Sequence, residues 1–515
     1  MMEEKTTRLE LLKQGAVVCV ALAAGGLVPI NVLGKDTKKT AKSSPTSFKY
    51  DELFDVIVVG SGLSGTVAAI TAAEKGNKVL MVEKMDFLGG SSINQNFNLA
   101  CPESKEQKQK GIKDSHETMD KDIQKIAENY GNPELVMKMI KNSIDFYTLL
   151  EKVGIKFELL KDVRGHSVPR TLWLSNGGKQ VIEKLHSYLN GKCSIRKQIK
   201  VNEVLIDDNG RAVGVKVREH YVCSNEHDDD LLNKTGVEKV YGARKGVILA
   251  NGGFAFDKTF ISGEAKYFGG LSEMSISAHR GATAGLLKSM ILKGAHPVNT
   301  SLYHFAYPLY ERDFYYGLMV DAAGERLADE GNPSKFGRIA YKSKNKNEGK
   351  APVCLFDQTG FDLISDKQKR DAATQTGTIK KFDSIEQLSN EFKLPLATVQ
   401  KTISEYHSTI DAKKDEKFMK MLDQLNGAAI KKAPFYAIKV EPELNYTTGG
   451  LRIDKKARVL RIADETPFKG LFAAGEVTGG IHGAQILEGL NTLDCGVYGI
   501  IAGEQASKME AIDLG

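Results

Sequence analysis

Cysteine patterns that bind metals or haem are absent from this chain of 515 residues. Its six cysteines are widely scattered and no two of them form a CxxC pair, so the sequence indicates neither a zinc site nor a c-type haem. We therefore expect no metal site. An isolated thiol such as Cys495 is more often a packing residue than a reactive group.

A strong excess of charge of either sign is also absent. The chain has 71 Lys and Arg residues against 65 Asp and Glu, and residues 1–48 alone hold seven basic and four acidic residues. Half of the small excess therefore belongs to the N-terminus. The remainder is too nearly neutral to indicate a nucleic-acid or membrane-surface partner.

Long apolar runs are lacking except at the N-terminus. Residues 16–33 are mostly apolar, follow Lys13 and precede a polar stretch, which is the pattern of an export signal. The segment before them, Thr7 to Lys13, resembles a twin-arginine signal, although Leu9 stands where the second arginine would be. We expect residues 1–47 to be an export signal and linker, and the mature protein to be periplasmic.

An uncleaved membrane anchor is the alternative interpretation of that segment. The apolar run is only marginally long enough to cross a bilayer, and Pro29 and Asn31 interrupt it. We therefore expect no stable membrane span in the mature form.

Three apolar segments, far apart in the sequence, each have a glycine at or next to their C-terminal end. They run from Phe54 to Gly65, from Gly246 to Gly253 and from Gly470 to Glu476. Glycine-ended apolar runs are typical of parallel strands that meet a nucleotide. Together they predict one dinucleotide site built from distant parts of the chain. The alternative is three unrelated strand-end turns.

The first of these segments fits the dinucleotide fingerprint in its full context. Gly60, Gly62 and Gly65 provide a tight turn, close approach of the backbone to a pyrophosphate, and close packing of helix on strand. A predicted helix over residues 66–75 follows, and a second apolar run ends in Glu83. Its carboxylate can accept the ribose hydroxyls, which disfavours a 2′-phosphate.

Two later features favour FAD over NAD. The small residues Gly89 to Ser92 follow Glu83 closely, where a pyrophosphate and flavin could lie. The segment Ala474 to Glu476 returns to the same site, as expected for a long, buried cofactor. The predicted cofactor-binding residues are Gly60, Ser61, Gly62, Ser64, Gly65, Glu83, Lys84, Gly90, Ser91, Ser92, Ala250, Gly252, Gly253, Gly475 and Glu476.

The remaining pattern predicts how the chain is divided. Residues 114–152 have helical spacing, and residues 199–250 alternate as a β-meander. Residues 301–445 lack a glycine-ended parallel strand and are interpreted as an inserted domain. The predicted domains are the FAD-binding domain in two parts, 48–300 and 446–515, with a capping domain at 301–445 between them.

From about residue 52 to residue 507 the chain resembles the flavoprotein family of soluble fumarate reductases, urocanate reductase and 3-ketosteroid dehydrogenases. The segments that carry the resemblance are Phe54 to Gly65, Lys245 to Phe254, Asp321 to Arg326, Thr447 to Gly450, Gly470 to Gly483, and Asn491 to Gly499. The last of them looks like the start of the family's C-terminal flavin helix and adds Asn491, Thr492 and Leu493 to the predicted FAD ligands.

This resemblance implies an α/β fold: a split Rossmann-like FAD-binding domain with an inserted α+β capping domain that is mobile. It also implies hydride transfer at flavin N5 to or from a carbon–carbon bond. The serine-rich loop, Ser91 to Ile93, lacks the histidine that attaches flavin covalently in some relatives, so we expect non-covalent FAD. Without a haem motif, electrons would come from a separate cytochrome or quinol-linked partner.

The chain departs from the family's dicarboxylate pattern. Ser334 stands where an arginine acid is expected, with Arg338 one helical turn further on, and Ile486 replaces a substrate arginine. Two histidine positions fall at Tyr307 and at Asn445 or Tyr446. Losing several cationic partners removes the bidentate carboxylate clamps, which disfavours fumarate as the substrate.

What remains predicts a tyrosine site. Tyr446, Tyr307 and Arg338 are the candidate catalytic residues, because a phenol can polarise a carbonyl or deliver a proton if neighbours tune its pKa of about 10. His304 and His482 are the candidate substrate contacts. Ordinary packing is the alternative for each tyrosine, since the same region is crowded with others, and Arg326 is interpreted as structural. The neighbouring tyrosines are Tyr303, Tyr310, Tyr315 and Tyr316.

The leading hypothesis is an exported FAD-dependent reductase of the carbon–carbon double bond in an α,β-unsaturated acid or enone, such as a terminal reductase of anaerobic respiration. A flavin dehydrogenase that introduces the double bond is the alternative, because hydride transfer at N5 is reversible. A flavin-binding protein without turnover is the third hypothesis.

Overall fold

The structure is a computed structural model that describes residues 48–515, apart from 95–96, 162, 164, 175–176, 225–228, 265–274, 332–338, 341, 345 and 348. The predicted export signal, with both of its interpretations, therefore lies outside the described residues. Arg338 and Ser334 lie outside them too. Among the helices that the structure describes, none is long and apolar enough to cross a membrane.

Twenty strands are described. In chain order they are β1 (Glu52–Val59), β2 (Val79–Val82), β3 (Phe97–Ala100), β4 (Glu158–Leu159), β5 (Thr171–Leu174), β6 (Ser194–Arg196), β7 (Ile199–Ile206), β8 (Ala212–Glu219), β9 (Val237–Leu249), β10 (Pro297–Val298), β11 (Tyr303–Ala306), β12 (Leu318–Val320), β13 (Val353–Asp357), β14 (Ile379–Phe382), β15 (Phe435–Lys439), β16 (Glu443–Thr447), β17 (Gly450–Arg452), β18 (Arg458–Leu460), β19 (Pro467–Ala473) and β20 (Thr478–Gly479).

Helices connect and cover these strands. The α-helices are Leu63–Glu74, Lys105–Gln109, His116–Ile126, Pro133–Lys141, Ser143–Lys152, Gly177–Leu189, Asp229–Leu232, Lys258–Glu264, Gly285–Leu292, Gln358–Asp362, Lys367–Gln375, Ile385–Phe392, Leu396–Asp411 and Leu490–Ser507. Short 3₁₀ helices span Gly90–Asn94, Glu311–Tyr316 and Gly475–Val477. The helical spacing over residues 114–152 is thus confirmed by three consecutive helices.

The three glycine-ended segments lie side by side in one eight-stranded sheet. Six of its strands follow the order β18-β19-β9-β1-β2-β6, in which the strands from β19 to β6 are parallel to one another, and β8 and β7 join the sheet through β9. Because parallel strands end at the same edge of a sheet, the three glycine motifs come together there. The mixed α/β architecture with a parallel sheet confirms the predicted fold class.

The middle of this sheet is buried on both faces. Residues 56–58 of β1 are fully buried, as expected for a parallel strand covered by helices. The first helix, Leu63–Glu74, packs against the last, Leu490–Ser507. A Cβ at Gly499 would come within 2.7 Å of the Ser64 carbonyl oxygen, and one at Gly503 within 2.6 Å of the Ala68 carbonyl oxygen. The glycines therefore permit close contact between the helices.

The β-meander predicted over residues 199–250 is confirmed. Strands β7, β8 and β9 pair antiparallel in sequence order, and β9 continues into the parallel part of the sheet. One long strand therefore belongs both to the meander and to the nucleotide edge.

Residues 301–445 contain a separate four-stranded antiparallel sheet with the order β12-β13-β15-β14. Its strands and the helices Ile385–Phe392 and Leu396–Asp411 enclose their own hydrophobic cluster, which includes Leu355, Val399 and Tyr406. Strand β11 near the start of this region pairs with β16 at its end, as a two-stranded ribbon.

Arg326 belongs to a buried ion cluster in this region. Its guanidinium lies 2.9 Å from Glu330 and 2.8 Å from Asp415, and Lys420 lies 3.1 Å from Glu330. The rings of Tyr406 and Phe418 also contact the guanidinium. The structural interpretation of Arg326 stays a prediction; it is supported by the pairing of its buried charge with two carboxylates.

Candidate functional site

A large cavity opens where β1, β9 and β19 end. Its volume is about 2020 Å³, and it extends from the Gly60 turn to the tyrosines of residues 301–445. Of the predicted cofactor ligands, those that line it are Gly60, Ser61, Gly62, Ser64, Glu83, Lys84, Gly90, Ser91, Ser92, Ala250, Gly252, Glu476, Asn491 and Thr492. The other four, Gly65, Gly253, Gly475 and Leu493, lie behind its wall.

The three fingerprint glycines have three different structural roles. Gly60 has φ +106°, and a Cβ there would overlap the carbonyl oxygen of Ala250 on the neighbouring strand. A Cβ at Gly65 would overlap the carbonyl oxygen of Gly60. At Gly62 the nearest atoms to an added Cβ are 3.8 Å away, on Gly89 and Ser92, and the residue faces the cavity. Gly60 and Gly65 therefore serve the fold, while Gly62 leaves room for a ligand.

Glu83 is held at the end of β2 by the Gly60 turn. Its Oε2 accepts hydrogen bonds from the Ser61 amide at 3.0 Å and the Ser61 hydroxyl at 2.6 Å, and its Oε1 accepts one from the Met85 amide at 2.9 Å. The Gly89 amide in turn donates to the Ser61 hydroxyl at 3.0 Å. One serine thus connects the turn, the acid and the serine-rich loop.

Lys84 lies beside this acid and points to a different group of residues. Its Nζ donates to the Thr283 hydroxyl at 2.6 Å and lies 3.5 Å from Asp230, which also pairs with Lys200 at 3.1 Å. Lys84, Lys200 and Asp230 all line the cavity at the Glu83 end. Sequence analysis missed Asp230 and Lys200, which belong to no motif.

The second and third glycine motifs support one carboxylate, that of Glu476. Its Oε1 accepts a hydrogen bond from the Thr447 amide at 3.0 Å, and a Cβ on Gly253 would overlap it. Burial raises the pKa of Glu476 to about 7. A cavity-lining carboxyl in this environment can carry a proton at neutral pH.

We expect the charge on Glu476 to cost stability. The pKa of its carboxyl is 4.5 when exposed and about 7 when folded. The stability that the protonated carboxyl contributes to the folded state is therefore fully present below about pH 4.5 and is lost as the pH rises to 7. The loss is about 3 kcal/mol. Glu476→Gln removes this pH-dependent loss. The melting temperature of the flavin-free variant should therefore rise relative to that of wild type between pH 5 and pH 8. A difference that is the same at both pH values would contradict this assignment.

The tyrosine predicted as a proton donor lies in the cavity wall. Tyr446 is on β16 and pairs in register with His304 on β11. Its hydroxyl is out of contact with solvent and has no hydrogen-bond partner among the described residues. Burial raises the pKa of this phenol well above its usual value. The group is therefore a protonated donor, buried in the wall of the cavity and without an acceptor among the described residues.

The two predicted substrate histidines occupy different positions. His304 lines the cavity, its Nδ1 is 3.1 Å from the side-chain oxygen of Gln485, and burial lowers its pKa. His482 is buried behind Tyr446, with the two rings 5.9 Å apart and edge to face. Its Nε2 lies 3.1 Å from Asp494. Substrate contact by His304 and His482 stays a prediction; His482 is not among the residues that line the cavity.

Tyr307 also lines the cavity, one residue beyond β11. Its ring packs edge to face on Phe314 at 5.7 Å, and its carbonyl oxygen accepts a hydrogen bond from Lys369 at 3.3 Å. The structure thus brings Tyr307 and Tyr446 to the same cavity. The third candidate, Arg338, is outside the described residues.

Sequence analysis missed an ion pair in the same cavity. Arg312 Nη1 donates to Glu488 Oε2 at 2.5 Å, and the side-chain amide of Asn98 donates to Glu488 Oε1 at 2.9 Å. All three residues line the cavity. Glu488 lies three residues before the flavin-helix motif, but nothing in its local pattern indicates a partner 176 positions away.

These residues fit an FAD molecule. The Gly62 face is open beside the N-terminus of the helix Leu63–Glu74, where backbone amides favour a pyrophosphate. Glu83 is at the strand end that a ribose approaches. Beside the Gly60 turn, the side-chain oxygen of Asn251 is buried in the cavity wall without a hydrogen-bond partner among the described residues. Glycines, an acid and an unsatisfied polar atom thus lie together at this part of the cavity.

Comparison with known proteins gives the same cofactor. Residues 55–492 match the family described as FAD binding domain. The chain is 28% identical over 510 residues to the acrylate reductase flavoprotein subunit of Shewanella woodyi, covering 95% of this chain and 96% of that one. It is 28% identical over 500 residues to the urocanate reductase of Eggerthella lenta, covering 92% of this chain and 78% of the relative.

Solved structures with the same fold were also found. The open conformation of a flavocytochrome c3 fumarate reductase matches with a TM-score of 0.72 at 27% identity, over 90% of this chain and 79% of that one. A 3-ketosteroid-delta4-(5alpha)-dehydrogenase from Rhodococcus jostii RHA1 matches with a TM-score of 0.73 at 21% identity, over 90% of this chain and 99% of that one. The second likeness shows the fold alone.

Proposed function

The chain belongs to the FAD binding domain family and is an FAD-dependent oxidoreductase, and on that premise we propose that it reduces the carbon–carbon double bond of an α,β-unsaturated acid or enone. FAD, when bound, supplies a hydride from N5 to the β-carbon. A proton must then reach the α-carbon. The observation that carries the proposal is the buried hydroxyl of Tyr446 in the cavity wall, which has no hydrogen-bond partner in the part of the chain that the structure describes.

Tyr446 is the proposed proton donor. A general acid must hold its proton at the operating pH and face the reacting atom without being committed to another acceptor. The raised pKa of Tyr446 meets the first condition, and its hydroxyl is not committed to another acceptor among the described residues. That this hydroxyl reaches the α-carbon from the cavity wall is part of the proposal. The buried ring of His482 packs against the Tyr446 ring and limits its rotation. Arg338 remains the rival donor, as the sequence predicts.

His304 and Tyr307 are proposed to orient the substrate. Because burial lowers the pKa of His304, its ring is neutral near pH 7 and can donate to or accept from an uncharged carbonyl. Its Nδ1 is already engaged by Gln485, which directs the other ring nitrogen elsewhere. Tyr307 lies next to the same ribbon.

Residues 301–445 are proposed to be a mobile cap over the FAD-binding parts, 48–300 and 446–515. Their separate hydrophobic cluster and their two-stranded connection, β11 with β16, support this division. Non-covalent attachment of FAD, export to the periplasm and electron supply by a separate cytochrome or quinol-linked partner complete the proposal. They are supported by the serine-rich loop, the N-terminal apolar segment and the lack of a haem motif.

The reverse reaction is the second candidate function. A phenol that protonates the α-carbon in one direction is the group that accepts its proton in the other, so the Tyr446 geometry suits a dehydrogenase equally well. The potentials of the bound flavin and its electron partner decide the direction.

An anaerobic acceptor screen tests the proposal. Purified FAD-loaded protein is mixed with chemically reduced viologen and a panel of unsaturated acids and enones, and viologen oxidation is followed by absorbance. We expect at least one compound to be reduced. Reduction of an acceptor dye by the saturated counterparts alone would support the dehydrogenase, and silence in both assays would support flavin binding without turnover.

A further inference from the structure

We propose that Glu488 makes the cavity select substrates by their charge. By holding Arg312, it makes the cavity accept an unsaturated substrate with at most one carboxylate and reject a dicarboxylate. The inference rests on the proposed function and deepens it. It concerns two residues that no motif of the sequence singles out.

The charge of Arg312 is neutralised by a carboxylate that lies far from it in the sequence. It is the sole arginine among the described residues of the lining. Its Nη1 lies 2.5 Å from Glu488 Oε2, and its Nε donates to the Ser365 hydroxyl at 3.1 Å. A guanidinium is the preferred partner of a carboxylate because it binds both oxygens. Here one terminal nitrogen already donates to a carboxylate of the chain itself, whose negative charge offsets that of the guanidinium.

Glu488 is firmly held in this role. Its other carboxylate oxygen, Oε1, accepts a hydrogen bond from the side-chain amide of Asn98 at 2.9 Å. Its backbone carbonyl oxygen lies 2.9 Å from Nε2 of the His166 ring. The Glu488 and Arg312 side chains are 26% and 21% exposed, so the pair is only partly screened by solvent. A second anion brought to Arg312 must approach Glu488, and like charges that face each other in a binding site are a general means of rejecting a ligand.

Lys369 is the cation that lies next to this pair and can serve a single carboxylate. Its Nζ lies 4.4 Å from the centre of the Tyr310 ring, which the Arg312 guanidinium also contacts at 4.7 Å. Its ammonium donates to the Tyr307 carbonyl oxygen, and no carboxylate of the described residues lies within 4.0 Å of it. Lys369 can therefore accept one anion, whereas the balanced Arg312 pair cannot accept a second.

Binding of saturated analogues tests this without turnover. The probes are succinate, monomethyl succinate and dimethyl succinate, titrated into the oxidised FAD-loaded protein while the flavin absorbance is recorded. We expect wild type to bind monomethyl succinate about tenfold more tightly than succinate. In Glu488→Gln, succinate should bind about tenfold more tightly than in wild type, and dimethyl succinate should change less than about twofold.

Two further variants make the result specific. Glu441→Gln removes one exposed acidic group that pairs with Lys344 and does not line the cavity, so it should leave all three affinities unchanged. Adding Arg312→Gln to Glu488→Gln should abolish the gain for succinate. Equal changes for all three probes in Glu488→Gln, or no spectral response to any probe in either form, would overturn the inference. Charge-dependent binding with no reduction of any unsaturated compound would instead refute the proposed function alone.

Discussion

Replacing Tyr446 by phenylalanine is expected to lower the turnover number of the reductase about 100- to 1000-fold at pH 7. The substitution removes one oxygen atom from a side chain whose hydroxyl has no hydrogen-bond partner among the described residues. The protein should therefore fold and bind FAD normally, with its flavin absorbance unchanged. The loss should appear in kcat, with KM changing less than about threefold, because the proton is needed after the substrate has bound.

The pH profile gives a second check on the same residue. Burial raises the pKa of Tyr446 well above its usual value, so the phenol stays protonated throughout the range from about pH 6 to pH 9. Ionisation of this group should therefore cause no fall in wild-type turnover within that range. A turnover that does not fall in this range distinguishes Tyr446 from an exposed tyrosine, which begins to ionise at about pH 9.

Tyr436→Phe is a suitable matched control. Its hydroxyl donates to Gln358 at 2.8 Å, and the residue does not line the cavity. We expect its turnover to equal that of wild type. If Tyr446→Phe retains most of the wild-type turnover while Arg338→Ala loses it, Arg338 is the proton donor and the assignment to Tyr446 is wrong.

Glycine positions were predictable because each satisfies a local requirement. Gly60 needs a left-handed φ, and Gly65 must let a helix approach a turn, so both constraints are visible within a short stretch of sequence. The shared strand-end pattern also predicted that these segments meet at one site, whereas the order in which β19, β9 and β1 lie side by side comes from the structure. Local backbone requirements are therefore enough to locate the FAD end of the cavity in the sequence.

The substrate end was predictable only in part. Tyr307 and Tyr446 were identified by position within motifs, and the ribbon of β11 and β16 brings them to one cavity. Arg312 and Glu488 were not identified, because an ion pair between residues 176 apart depends on the path of the chain between them and imposes no local pattern. The place of His482 behind Tyr446 depends on side-chain packing for the same reason.

Replacing Gly62 by alanine is expected to weaken FAD binding about 100-fold while leaving the fold intact. Gly62 has φ −64° and ψ −175°, which alanine adopts without strain, and the nearest atoms to its added Cβ are 3.8 Å away. The methyl group would project into the cavity at the N-terminus of the helix Leu63–Glu74. There it occupies the space that a pyrophosphate needs in order to reach the backbone amides.

Two other glycines separate loss of cofactor from loss of fold. At Gly65 a Cβ would overlap a backbone oxygen of the Gly60 turn, so Gly65→Ala should lower the melting temperature of the flavin-free protein. Gly263 has no atom within 4 Å of an added Cβ and lies in the helix Lys258–Glu264, so Gly263→Ala should leave both stability and FAD affinity close to wild type.

The measurements are a thermal melt without FAD and a titration with FAD followed by quenching of its fluorescence. Gly62→Ala should match wild type in the first and differ from it in the second, which is the signature of steric exclusion of a ligand rather than of a damaged fold. If its FAD dissociation constant stays within about threefold of wild type, the pyrophosphate does not pass Gly62. The cofactor would then enter the sheet edge by another path, and the roles given to Glu83 and Ser61 would be wrong as well.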